Sequence, residues 1–180
     1  MAEKDYEELD GATCARLHRG EVLVETAEVP GSNTPSVVVR GVVEATPERV
    51  WAIIDDTANY SKNLTGLKRS EEISRQGEVV RVRVTVGMPF PLKNLTSMTE
   101  GVHTVVPGER YSRVWKLLEG DYHHNAGSWT LVPFDGAAGR TFVIYKLHAE
   151  PKIRIPKKIQ MLVQKKAAPE IIEKLRKVVR

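Results

Sequence analysis

A chain of 180 residues, 41% hydrophobic and 28% charged, is long enough for one domain with a sizeable core and too evenly mixed for a disordered or fibrous protein. Its one cysteine, Cys14, excludes an internal disulfide and any multi-cysteine zinc site, and it fits a reducing compartment. The net charge of +4 is unevenly placed, because residues 151–180 hold ten Lys/Arg against only Glu170 and Glu173 and the rest of the chain is net acidic.

The opening, residues 1–8, is acidic and polar. It lacks the basic start and apolar stretch of a secretory signal, and no apolar run approaches the ~20 residues of a membrane-spanning helix. A cytoplasmic location is therefore expected. Residues 1–20 read as an acidic tail or loose helix, and residues 21–180 as one domain, since no long Pro/Gly/Ser linker divides them.

Glu21 to Thr26 reads as a first strand, followed by the break Pro30-Gly31-Ser32-Asn33 and a β-branched strand from Ser36 to Glu44. Thr46 before Pro47 marks a helix start, and Val50, Trp51, Ile53 and Ile54 give that helix an apolar side. A second short helix is expected from Ala58 to Leu64, stopped at Gly66.

From Leu67 to about Glu150 the period becomes two. In Val80 to Val86 the valines share one face, while Arg81, Arg83 and Thr85 share the other, the pattern of an antiparallel strand with one wet side. Further strands are expected at 68–75, 93–106, 110–118, 123–133 and 140–149, separated by turn signals such as Gln76-Gly77 and Pro107-Gly108. Helical spacing returns after Pro156. Ile155, Ile159, Leu162 and Val163 form one stripe, Ile171, Ile172, Leu175, Val178 and Val179 another, with a kink or break expected at Pro169. The predicted class is α+β: a curved antiparallel sheet of about seven strands around a long C-terminal helix, with two short helices after the first strand.

Three segments carry a resemblance. Ala45 to Asp56 with Tyr60 resembles the opening of the START-like helix-grip superfamily, which includes the polyketide cyclase/dehydrase and coenzyme-Q-binding proteins and the birch-pollen-allergen fold. Gly127-Ser128-Trp129-Thr130-Leu131-Val132-Pro133 and Thr141 to Tyr145 are similar to two of its strands. The resemblance covers about residues 21–180 and marks a fold more than a chemistry. It implies a cavity between sheet and helix that holds an apolar molecule.

Alternation assigns Val80, Val82, Val84 and Val86 to the cavity wall, with Trp129 and Tyr145 on later strands. Arg113 and Trp115 share a face, although Val114 on the opposite face leaves its direction open. Tyr145 and Arg113 are the polar tips that could meet a ligand oxygen. Phe90, in the proline-stiffened tip Gly87 to Leu92, and Leu162 of the C-terminal helix complete the candidate ligand-binding set; the tip reads as a lid, a membrane-touching point or core.

No cofactor is expected. His123 and His124 are adjacent on a strand and point to opposite faces, so no metal site is expected, and His103, His18 and His148 read as structural or solvated. No catalytic residue can be assigned: nucleophile elbows and phosphate loops are missing. The basic helix lacks stacking aromatics, so nucleic acid is not expected as a partner. Its lysines read as a solvated face, with transient contact with an anionic membrane surface as the alternative.

The leading reading is a monomer or weak dimer that binds or transfers a hydrophobic small molecule such as a lipid, quinone or polyketide. The alternatives are a polyketide cyclase/aromatase-type enzyme and an interaction module with a vestigial cavity.

Overall fold

The period-two segments join into one sheet. The computed structural model, which describes residues 9–180, contains β1 (Leu23–Ala27), β2 (Ser36–Val43), β3 (Leu67–Gln76), β4 (Val79–Val86), β5 (Leu95–Val106), β6 (Arg110–Gly120), β7 (Tyr122–Phe134) and β8 (Ala137–Pro151). All pairs are antiparallel, in the order β1-β2-β8-β7-β6-β5-β4-β3. The acidic opening, residues 1–8, lies outside the described residues.

The sheet has eight strands rather than about seven, and the short helices follow the second strand rather than the first. The reason lies at the Pro30 to Pro35 break. It connects two strands that pair in full register, from Leu23 opposite Arg40 to Ala27 opposite Ser36.

Helix α1 (Gly11–His18) is capped by Asp10, whose side chain accepts from the Thr13 amide at 2.6 Å. Its Leu17 is fully buried against Leu23, Val42, Phe134, Phe142 and Ile144 on the outer face of the sheet. That covering explains why Phe142, Val143 and Ile144 are buried in succession, whereas on β4 the alternation leaves Arg81 and Arg83 wet.

Helix α2 (Pro47–Asp55) starts as its sequence dictates: the Thr46 side chain accepts from the Arg49 amide, and Pro47 occupies the first turn. A 3-10 turn (Thr57–Asn59) and α3 (Tyr60–Asn63) follow, and the buried Tyr60 hydroxyl donates to the Ile54 carbonyl.

The C-terminal helix α4, residues 157–178, is not broken at Pro169. It widens instead into a π-turn over Val163–Ala167, just before the proline. Proline has no amide hydrogen to give the carbonyl four residues back, and the wider turn absorbs that loss. Beyond it, Ala168, Ile172 and Leu175 join Val39, Val43, Val50, Trp129, Leu131 and Val143 in the main core. The end of the helix is pinned by Arg176 Nε, which donates to the Val42 carbonyl at 2.9 Å, and by Arg49 Nη2, which donates to the Val179 carbonyl at 2.6 Å.

Candidate functional site

The first half of α4 does not sink into the sheet, and no residue of Lys157–Leu162 is buried. Between it and the inner face of β4 to β8 lies a pocket of about 390 Å³. Val82, Val84 and Val86 form one wall; Trp115, Trp129 and Tyr145 form another. The Trp129 and Tyr145 rings lie 4.5 Å apart, and Trp115 Nε1 donates to Asn125 Oδ1 at 3.1 Å.

Arg113 lines the same pocket, and its 2% exposure settles the direction of β6. Val114 faces solvent at 56% exposure, so the charged residue points in and the valine out. Gly101 on the neighbouring strand makes this arrangement fit. A Cβ there would stand 2.3 Å from Arg113 Cζ, so only glycine lets the guanidinium lie across β5.

Two of the predicted residues stand apart from the pocket. Phe90 is 97% exposed, because the turn closed by the Leu92 amide and the Pro89 carbonyl directs it outward; Met88 and Pro89 line the pocket in its place. Leu162 is 46% exposed, because the face that α4 turns inward is Gln160, Gln164, Ala167 and Ile171, with Val163 beside it. Sequence reasoning chose the most apolar stripe, whereas the pocket-facing stripe is partly amide and alanine.

Behind Arg113 is a chain of polar contacts that the sequence reading missed. Arg113 Nη1 lies 2.7 Å from His103 Nε2, and arginine has no lone pair to offer, so His103 accepts there. The imidazole proton is then on Nδ1, which donates to Asp55 Oδ1 at 3.0 Å. Burial, reinforced by the charge of Arg113 and opposed by Asp55, pushes the His103 pKa down to about 4, so the ring is neutral near pH 7. Burial also lowers the Arg113 pKa, though a guanidinium stays charged.

Asp55 accepts in addition from Arg75 Nη1 at 2.8 Å, and Arg75 forks onto Glu72 with two bonds of 3.0 Å. That hydrogen-bonded fork holds the Glu72 carboxyl below the usual carboxylate range. Thr57 donates to Glu72.

Tyr60, Leu95, Thr99, Tyr122 and Asn125 also line the pocket. Desolvation raises the Tyr122 hydroxyl to about 12 and raises that of Tyr145 further, and among the described residues neither hydroxyl has a protein hydrogen-bond partner. The signal that would have found the polar wall is an inversion of polarity. On β5 the inward, buried positions are Leu95, Ser97, Thr99, Gly101 and His103, while Val102, Val105 and Val106 are exposed.

The family model described as polyketide cyclase / dehydrase and lipid transport matches residues 43–176. Solved structures share the fold at low identity. A STAR-related lipid transfer protein from Xanthomonas axonopodis superposes with a TM-score of 0.73 at 18% identity, over 88% of this chain and 93% of that one. Human StAR-related lipid transfer protein 5 gives 0.76 at 14% identity, over 89% and 82%. The ZhuI aromatase/cyclase from Streptomyces sp. R1128 gives 0.56 at 17% identity, over 80% and 85%. No curated protein sequence matches the chain.

Proposed function

Because this chain belongs to the polyketide cyclase / dehydrase and lipid transport family, we propose that it takes up one apolar small molecule between the sheet and α4, and holds or carries it rather than converting it. The lining of the pocket carries this reading. Among the described residues it contains valines, tryptophans, tyrosines and one arginine, and no Asp, Glu, His, Lys or Cys. Its volume of about 390 Å³ suits a small ligand, and its wall offers neither a nucleophile beside a base nor a carboxylate to move protons.

The test is uptake of a panel of lipids, quinones and aromatic polyketides, read by native mass spectrometry. The wild type is expected to retain one panel member at near 1:1 occupancy. Ala167→Trp, which fills the pocket from the helix side, is expected to lose it with little change in Tm, since Ala167 lies outside the core. Failure of the wild type to take up any panel member would refute the binding reading. Turnover that disappears with Tyr145→Phe would refute the carrier reading in favour of an enzyme.

Exchange of the cargo is proposed to occur at an anionic bilayer surface. Met88 and Pro89 line the pocket together with Gln160, Val163 and Gln164, which puts the 88–92 tip beside the first half of α4. Phe90, Met161, Leu162 and Val163 are exposed there, and Lys157, Lys158, Lys165 and Lys166 share the helix. Exposed apolar groups set among lysines match a negatively charged, apolar-cored surface. Among the described residues no helix is long and apolar enough to cross a membrane. Phe90→Asp is expected to slow transfer between phosphatidylserine-containing vesicles severalfold and to leave ligand affinity unchanged. An unchanged transfer rate would remove the tip from the process.

A further inference from the structure

The pocket carries a positive charge that the protein does not answer directly. We propose that the ligand bears a singly charged acidic head, a carboxylate, seated on Arg113, with its apolar body along the valine and tryptophan walls. This rests on the reading of the pocket as a ligand site and adds to it the chemical class of the ligand.

Arg113 is the one charged residue among the described residues of the pocket wall, and it is 98% withdrawn from solvent. Its hydrogen-bond partner is a neutral imidazole, His103 Nε2, at 2.7 Å. The two nearby carboxylates are engaged elsewhere. Asp55 accepts from Arg75 at 2.8 Å and stands on the far side of His103, and Glu72 is held by the two-bonded fork of Arg75. Two arginines and two carboxylates balance in number, yet both carboxylates contact Arg75 and neither contacts Arg113.

A buried guanidinium is costly unless an anion or several acceptors meet it. A ligand carboxylate supplies both the charge and the fork geometry that guanidinium matches. A neutral carbonyl would take a hydrogen bond and leave the charge unanswered. An amine head would add a second cation to an apolar cavity. A dianionic phosphate would bring a second negative charge, and no second cation lines the wall. The Tyr122 and Tyr145 hydroxyls, unpartnered within the described residues, are further donors for an acceptor-rich head.

His103 is what keeps this charge open. An acidic residue in its place would give Arg113 an internal anion and remove its need for one from the ligand. The acid preference is therefore a property of position 103 as much as of position 113.

The experiment is a fluorescence titration of the full chain with matched pairs: cis-parinaric acid against its methyl ester, and anthracene-2-carboxylate against anthracene-2-carboxamide, at neutral pH. For at least one pair the wild type is expected to bind the carboxylate about tenfold tighter or more, the scale of one well-formed charged contact. Arg113→Met and His103→Glu are each expected to bring the two members within about twofold, chiefly by weakening the acid. The second variant keeps the arginine, so the test survives if the first fails to fold. Equal or tighter binding of the neutral members by the wild type, or a preference for acid that persists in His103→Glu, overturns the carboxylate assignment and leaves the pocket reading in place. No binding of any of the four probes overturns the carboxylate assignment, and the pocket reading then stands or falls on the lipid, quinone and polyketide panel.

Discussion

Acidification from about pH 6.5 to about pH 4 is expected to destabilise the protein by roughly 3 kcal/mol through His103 alone. The folded state holds this imidazole neutral, accepting from Arg113 and donating to Asp55, with its side chain 6% exposed. Its pKa is about 4 in the fold against an ordinary 6.5, so within this window the unfolded chain binds a proton that the folded chain refuses. The contribution is fully present above pH 6.5 and is lost as the pH falls through 4. Glu72, depressed chiefly by its bonds to Arg75, adds acid sensitivity of its own below its ordinary 4.5, so the two effects separate on the pH axis. Urea melts at pH 7, 5.5 and 4.5 would measure the slope. His103→Gln keeps an acceptor for Arg113 and a donor for Asp55 but cannot titrate, so it should flatten the slope between pH 6.5 and 4.5. An undiminished slope in that variant would move the titration to another group.

Much of this architecture is written in the sequence because burial and period coincide there. The Val80 to Val86 alternation points the valines inward and the arginines out, and Thr46-Pro47 starts a helix where the side chain caps it. Those are local rules, and the strands obey them where the buried face is apolar. The rules lose their hold on the β5 and β6 side of the pocket, where the buried face carries polar groups. On β6 the valine is exposed and the arginine buried; on β5 Ser97, Thr99 and His103 are inside, and Val102 and Val106 lie on the outer face. Period alone gives the two faces of such a strand, and a charged residue on one face with a valine on the other leaves their direction open, as Arg113 and Val114 do. The partnership of Asp55 with His103 is equally illegible, since it joins a helix end to a strand nearly fifty positions later. The outer covering by Leu17 was hidden for another reason: one large aliphatic residue among small and polar ones in a short helix carries little periodic signal.

Replacing Ile172 with alanine is expected to destabilise the fold by about 2–5 kcal/mol, whereas the same change at the adjacent Ile171 should act mainly on the ligand. Adjacent helical positions are about 100° apart, and α4 uses that angle to divide two tasks. Ile172 is fully buried with Ala168 and Leu175 on the face that meets the sheet. It presses so closely on β2 that a Cβ at Gly41 would come within 2.7 Å of Ile172 Cγ2. No small shift can refill the space left by removing its branched side chain, because the helix end is already fixed by Arg49 and Arg176. Ile171 continues the other stripe, with Gln164 and Ala167, and borders the pocket. Truncating it enlarges space that is already open, so the packing loss is smaller and the change appears in affinity and in the size of ligand preferred. Denaturant midpoints and ligand titrations on both variants would separate the two faces. If Ile171→Ala proved the more destabilising while Ile172→Ala weakened binding, α4 would be rotated from the orientation described, and the pocket would have a different roof.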